Sequence, residues 1–345
     1  MAKVRELFFH VSGEHETLPH AEVKAILEAE GFPCRSVIAL PQLLCIESDV
    51  DCLPTVADRG CFTKECGVVI FRCEARREAI MRAVKDADYS SFIEKGQTFS
   101  VKIKTAVQPN INTEELASTL GRIILGKLQG IKVKLKDPDI SFFGIVSCNR
   151  FILGRKTHDS SREFLRRKPN SRPFSHPSSI SPQLARVMAN LARVRASSRV
   201  LDPFCGTGSI LVEAGLIGCK IFGSEINSEM LRGTRLNLNY FGVIWEGLVI
   251  SDARYLPFVN VDSVVTDPPY GRASSTHGQS VRSLVVEFLS EASDILHSGS
   301  YMSIALPDSL PIREISKDLG YINVENHFIR QHKSLTREIS IIQKP

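Results

Sequence analysis

The chain has no apolar run long enough to cross a bilayer. Its opening residues, Met1-Ala2-Lys3-Val4-Arg5-Glu6, lead into only a short apolar stretch rather than a secretory signal. A soluble, cytoplasmic protein with no membrane partner is therefore expected. The nine Cys, at 34, 45, 52, 61, 66, 73, 148, 205 and 219, form no C-x-x-C pair and no Cys/His zinc spacing. Reduced, mostly buried thiols and no metal follow from that spacing. The absence of repeats and low-complexity tracts excludes a solenoid. What remains, 345 residues of 43% hydrophobic content, suffices for more than one core, and two or three domains are expected.

Charge is scarce in the sum and concentrated in its placement. The formal net charge is +5, yet residues 155–199 carry eleven bases against Asp159 and Glu163, so this stretch alone is +9. It suits a polyanionic partner or a solvated linker. From Asp159 to Ser181 the chain is crowded with Ser, Pro, Arg and Lys and shows no hydrophobic period, which marks a domain boundary.

Upstream of that break, Glu6 to Val11 reads as a strand, His20 to Glu30 as a helix ended by Gly31, and Ser36 to Leu40 and Leu43 to Ser48 as strands. A second α+β unit follows. Phe99, Val101 and Ile103 alternate with polar residues, and Asn112 with Glu115 forms a capping pair for a helix whose apolar face is Leu116, Leu120, Ile123 and Ile124. Lys132, Lys134 and Lys136 then alternate with Val133 and Leu135. Such a segment would present three ammonium groups on one side, either to phosphates or as a guarded edge strand.

Downstream, strands and helices alternate as in a doubly wound α/β sheet: strand 199–202, helix 207–216, strand 219–224, helix 228–239, strands 248–251 and 261–266, helix 281–296, strand 300–305, a short helix from Ile312, and a closing hairpin over 321–329 and 335–342.

Two turns in this half carry chemistry. In Val265-Thr266-Asp267-Pro268-Pro269-Tyr270-Gly271, the Pro268 carbonyl is held in a stiff turn beside the Asp267 carboxylate. Two acceptors match the two hydrogens of a planar amino group, and Tyr270 offers a face for a base to stack on. In Leu201-Asp202-Pro203-Phe204-Cys205-Gly206-Thr207-Gly208-Ser209, a glycine turn joins a strand to a helix without the full G-x-G-x-x-G spacing. Asp202 there disfavours a pyrophosphate and favours a cationic amino group, such as the amino-acid end of S-adenosylmethionine. Glu225 closes the next strand, where a carboxylate accepts both hydroxyls of a ribose, and Asp252 after the following strand is placed for the N6 amino group of adenine. The methyl acceptor at this stage is any planar amine, on DNA, protein or RNA.

With D-P-F-C-G-T-G and D-P-P-Y-G in this order, the chain resembles the Rossmann-like S-adenosylmethionine-dependent amino-methyltransferases. Within them it is similar to the archaeal tRNA (guanine-10-N2)-methyltransferases. The resemblance implies a ferredoxin-like α+β unit at 1–58, a THUMP RNA-binding domain at 59–155, a basic linker at 156–175 and a catalytic domain at 176–345. Arg172-Pro173-Phe174-Ser175-His176-Pro177 looks like the segment that packs over the cofactor in that family.

It also implies methylation of a guanine N2 in tRNA, once or twice, with position 10 favoured over the acceptor stem. The expected catalytic residues are Asp267, Pro268 and Tyr270. Cofactor contacts are expected from Asp202, Phe204, Cys205, Gly206, Gly208, Glu225, Ile226, Asp252 and Ala253. RNA contacts are expected from Lys132, Lys134, Lys136, Arg166, Arg167, Lys168 and Arg172. A monomer active alone is expected, although eukaryotic relatives use a small activating subunit.

Three rivals compete with this reading. A DNA amino-methyltransferase would need a target-recognition domain, a protein-glutamine methyltransferase more usually begins its motif with Asn, and a noncatalytic RNA-binding protein would have little use for the full acid set.

Overall fold

The computed structural model describes residues 4–107, 111–159, 163–269, 280–332 and 335–345. The chain divides into two compact units, Met1–Ser161 and Arg162–Pro345.

The first unit runs β1 (Val4–Val11), α1 (Leu18–Ala29), β2 (Arg35–Leu40), β3 (Leu43–Asp49), α2 (Cys52–Arg59), β4 (Thr63–Glu74), α3 (Arg77–Asp86), β5 (Thr98–Val107), α4 (Thr113–Lys127), β6 (Lys132–Val133), β7 (Ile140–Ser147) and β8 (Arg150–Asp159). Its strands form one eight-stranded sheet in the order β2-β3-β1-β4-β8-β7-β5-β6. The twelve-residue β4 pairs antiparallel with β1 on one side and β8 on the other, so a single sheet spans both α+β halves. Sequence patterning did not reveal β4, because Val68-Val69-Ile70-Phe71 is a continuous apolar run within it rather than a strict alternation.

The Asn112 cap is present as expected: its side chain accepts from the Glu115 N–H at 3.1 Å and starts α4, which buries Leu116, Leu120 and Ile124. The lysine comb is shorter than expected. β6 holds only two residues at the sheet edge, and Val133 and Leu135 are as exposed as the lysines around them. Among the described residues no further strand covers that edge, so alternation there does not sort residues into buried and exposed faces.

The second unit runs α5 (Pro182–Leu191), β9 (Arg199–Asp202), α6 (Ser209–Ile217), β10 (Lys220–Glu225), α7 (Ser228–Tyr240), β11 (Gly247–Ile250), β12 (Val261–Thr266), α8 (Val281–Ile295), β13 (Leu296–Pro307), α9 (Ile312–Asp318), β14 (Ile322–His332) and β15 (Leu335–Gln343). The sheet order is β11-β10-β9-β12-β13-β15-β14. The first five are parallel, and β15 enters antiparallel between β13 and β14. Strand order reverses between β9 and β12, and a crevice at the carboxyl ends of those strands is where sheets of this type bind ligands.

Leu201, Val264, Phe288, Leu289, Met302, Ile304 and Ile342 form the core under α8. Burying a side chain the size of Phe288 stabilises by about 2–3 kcal/mol. All nine Cys are free thiols, six of them buried.

Candidate active site

Short apolar strands ending in acids put the chemistry on one edge of the second sheet. Val200 and Leu201 anchor β9 in the core and leave Asp202 at its carboxyl end. β10 ends at Glu225, Asp252 follows β11, and Val264 and Val265 of β12 lead to Thr266 and Asp267. These four acids thus lie at the carboxyl ends of four adjacent parallel strands.

Asp202 is 2% exposed. Its Oδ1 accepts from the Thr266 hydroxyl at 2.8 Å, across the switch point, and from the Phe204 N–H at 3.1 Å. Burial pushes its carboxyl up to about 7; those two donors oppose the shift, while the charges of Asp267 and Glu225 add to it. A buried acid poised in this way can accept a cation, which would restore the solvation it lost.

The glycine turn is stitched to its neighbours. Cys205, buried, donates its N–H to Ser224 O at 3.0 Å, and Gly206 donates to Glu225 Oε2 at 3.0 Å. Glu225 Oε1 accepts from the Asn227 N–H at 3.0 Å. Gly208 adopts φ +78°, and a Cβ there would lie 2.8 Å from Thr234 Cγ2, so the turn requires glycine at that point. This left-handed residue also delays α6, which starts at Ser209 rather than the expected Thr207. Phe204 packs edge-on against Phe288 with centroids 5.3 Å apart. Ile226 is exposed beside the turn, and Ala253 is buried.

Two cations at this edge went unforeseen. Arg254 grips Asp252 with both Nε (3.0 Å) and Nη2 (2.6 Å), so the acid expected at adenine N6 already holds a guanidinium. Arg337 Nη2 stands 3.4 Å from Asp267 Oδ2, and both side chains are 14% exposed. Neither follows from a motif: Arg254 needs the turn after β11, and Arg337 reaches the site only because β15 runs antiparallel. Pro268 is buried beside Asp267. Tyr270 and Gly271 lie outside the described residues.

The basic linker divides into two kinds of residue. Arg167 and Arg172, expected to face RNA phosphates, are instead turned into the second unit. Arg167 donates twice to the fully buried Glu213 (2.7 and 2.9 Å), which Arg186 also meets at 3.0 Å, and Arg172 Nη1 reaches Ser209 Oγ at 2.6 Å. A buried carboxylate on α6 needs such partners, and a run of Arg reveals nothing of that need. Arg166 and Lys168 remain exposed, as do Lys132, Lys134 and Lys136 in the first unit.

The linker also covers the glycine turn. Phe174 lies so close to α7 that a Cβ on Gly233 would sit 2.0 Å from its ring. Asn237 accepts from the Phe174 N–H (3.1 Å) and donates to the carbonyls of Phe174 (2.9 Å) and Thr207 (2.8 Å). The hydroxyls of Ser179 and Thr207 are 2.9 Å apart.

Comparison with known proteins agrees with this architecture. Residues 169–332 match the RMKL-like methyltransferase domain family, and residues 74–154 match the THUMP domain. The tRNA (guanine(10)-N2)-dimethyltransferase of Methanothermobacter thermautotrophicus is 35% identical over 341 residues, covering 98% of this chain and 99% of the relative. The enzyme of the same name from Pyrococcus abyssi is 30% identical, covering 97% and 99%. Among solved structures, TrmN from Thermus thermophilus shares the fold, with a TM-score of 0.55 at 19% identity over 99% of this chain and all of that one. The chain belongs to the family of the tRNA (guanine(10)-N2)-dimethyltransferases.

Proposed function

We propose that this protein transfers methyl groups from S-adenosylmethionine to the exocyclic N2 amine of a guanine in tRNA, at position 10, giving the monomethylated and then the dimethylated base. The observation that carries this reading is the meeting of Asp202 and Asp267 at the switch point, joined through Thr266.

The donor set fits the methyl donor. Asp202 suits its ammonium, Glu225 its ribose hydroxyls, and the turn from Phe204 to Gly208 its close approach to backbone; Ile226 and Ala253 flank that site. Asp252 would receive adenine N6 while keeping Arg254 on its remaining lone pairs. When bound, the donor supplies an electrophilic methyl on a sulfonium.

The protein's own task is to make a poor nucleophile available. The lone pair of a guanine amine is delocalised into its ring. Asp267 and the Pro268 carbonyl accept its two hydrogens, favour a pyramidal nitrogen and offset the positive charge that develops there, an interaction that strengthens in a dry pocket. One charge-assisted hydrogen bond acting only in the transition state contributes about 1.5–3 kcal/mol, or some tens-fold in rate. A paired guanine must leave its stack to reach these groups, and Tyr270 replaces the stacking it loses.

Division of labour follows the chain. Residues 1–58 and the THUMP domain at 59–155 grip tRNA, with Lys132, Lys134 and Lys136 on phosphates. Arg166 and Lys168 of the linker at 156–175 add to that contact, and residues 176–345 carry out the chemistry. No helix among the described residues is long and apolar enough to cross a membrane. The enzyme works in the cytoplasm as a monomer without an activating subunit.

The test is methylation of tRNA transcripts by the purified protein alone, mapped by mass spectrometry. Methyl groups on N2 of guanine 10, and their loss when that base is replaced by adenine, are expected. Transfer to another nucleotide, or none without a second protein, overturns the corresponding part.

A further inference from the structure

The candidate active site gathers acids at the ends of adjacent strands. Asp202 is pushed up by burial and further by the charges of Asp267 and Glu225. A carboxyl that took up a proton at Asp267 would lose an acceptor for the incoming amine. An acceptor for an incoming amine must also be fixed in direction before the amine arrives.

The topology supplies a cation. β15 runs antiparallel to β13, so its beginning, not its end, lies at the carboxyl edge of the parallel strands. Arg337 there registers with Pro307, the last residue of β13, and its guanidinium lies 3.4 Å from Asp267 Oδ2. A guanidinium stays charged at any working pH and is rigid enough to fix the direction of a carboxylate.

The geometry points to Arg337 as the positioning residue of methyl transfer, orienting the Asp267 carboxylate as a fixed acceptor for the amine. This deepens the proposed function and rests on it. The division of roles then follows. As the new N–C bond forms, sulfur keeps the electron pair of the S–C bond that breaks, and the nitrogen sheds a proton. Asp267, held by Arg337, keeps its charge, and that proton passes to water. In this role Arg337 acts through the Asp267 carboxylate.

The test compares Arg337→Met, Arg337→Lys and Arg337→Gln with wild type, on tRNA transcript and S-adenosylmethionine. Wild-type transfer to guanine N2 is the control for the underlying reading, and its absence would strike that reading rather than this one. With wild type active, Arg337→Met is expected to lower kcat by about 10- to 100-fold, with KM for tRNA and the Kd for S-adenosylmethionine within about threefold. Arg337→Lys, which keeps the charge and loses the planar fork, recovers part of the lost rate, and Arg337→Gln does not. In an Asp267→Asn background, Arg337→Met adds less than about threefold, because there is no carboxylate left to hold.

A drop in kcat below about threefold for Arg337→Met overturns the proposal. So does a full additional loss in the Asp267→Asn background, or equal rates for the Lys and Gln variants. Should the Met variant fail to fold by thermal unfolding, the Lys and Gln pair decides.

Discussion

The carboxyl of Asp202 makes ligand binding depend on pH in a way that can be worked out beforehand. Burial holds it at about 7 instead of its ordinary 3.8. In the unliganded fold, the charged form is disfavoured by on the order of 4 kcal/mol. The sign follows from the raised value. This group's contribution to stability is fully present below pH 3.8 and is lost as pH rises through about 7.

A cationic ligand needs the ionised form, so its affinity moves the other way. From about pH 8 to about pH 6 the ionised fraction falls from about nine-tenths to about one-tenth, and the Kd for S-adenosylmethionine should weaken about tenfold. The ligand's amino group, an α-amine titrating near about 8, stays mostly protonated below about pH 7.5, so the acidic part of the profile reports on the protein. Isothermal titration calorimetry in buffers of different ionisation enthalpy reads both consequences. At about pH 6 binding should release close to one proton, about 0.9, and at about pH 8 almost none from this group. Asp202→Asn should weaken binding and flatten the profile. A wild-type affinity constant within about twofold between about pH 5.5 and about pH 7.5, with no proton released, would refute the assignment of Asp202 to the ligand's ammonium.

Four further outcomes separate the chemistry from its supports. Asp267→Ala is expected to lower kcat about 100-fold while leaving tRNA affinity within about twofold in filter binding; undiminished transfer would remove Asp267 from the reaction. Arg166→Ala with Lys168→Ala should weaken tRNA binding and reduce its salt slope by about 2, since both side chains are exposed. Arg167→Ala should instead cost about 2–3 kcal/mol in chemical denaturation, because Glu213 is buried beneath it and loses one of its two ion pairs among the described residues. Gly233→Ala, whose new methyl would overlap the Phe174 ring, should loosen the linker from α7, seen as faster proteolysis around residue 174 and weaker S-adenosylmethionine binding. An unchanged cleavage pattern would mean that the ring is not held there.

The parts of the site that could be read in the sequence are those set by strand ends. A short apolar run stopping at an acid places that acid at the carboxyl edge of a parallel sheet wherever the strand lies, so Asp202, Glu225, Asp252 and Asp267 were legible before their order in the sheet was known. The helix of α4 was legible because Asn112 and Glu115 advertise its start. Partners were not legible. Arg254, Arg337, Glu213 and Asn237 act through contacts that exist only after the strands and helices have docked, and nothing local distinguishes Arg167, which meets a buried acid, from Arg166, which meets solvent.

That asymmetry bears on the basic linker in particular. Eleven bases in one stretch read as a footprint for a polyanion, yet Arg167, Arg172 and Arg186 meet Glu213 and Ser209 on α6. The charge offered to an RNA is therefore smaller than the composition implies. Arg167 and Arg172 tie the linker to the helix that begins at the glycine turn, while Phe174 packs on α7 and bonds Asn237, which also donates to the Thr207 carbonyl. A linker fastened by three residues around one turn cannot act only as a tether. If the glycine turn holds the methyl donor as proposed, substitutions that free the linker should change cofactor affinity before they change tRNA affinity.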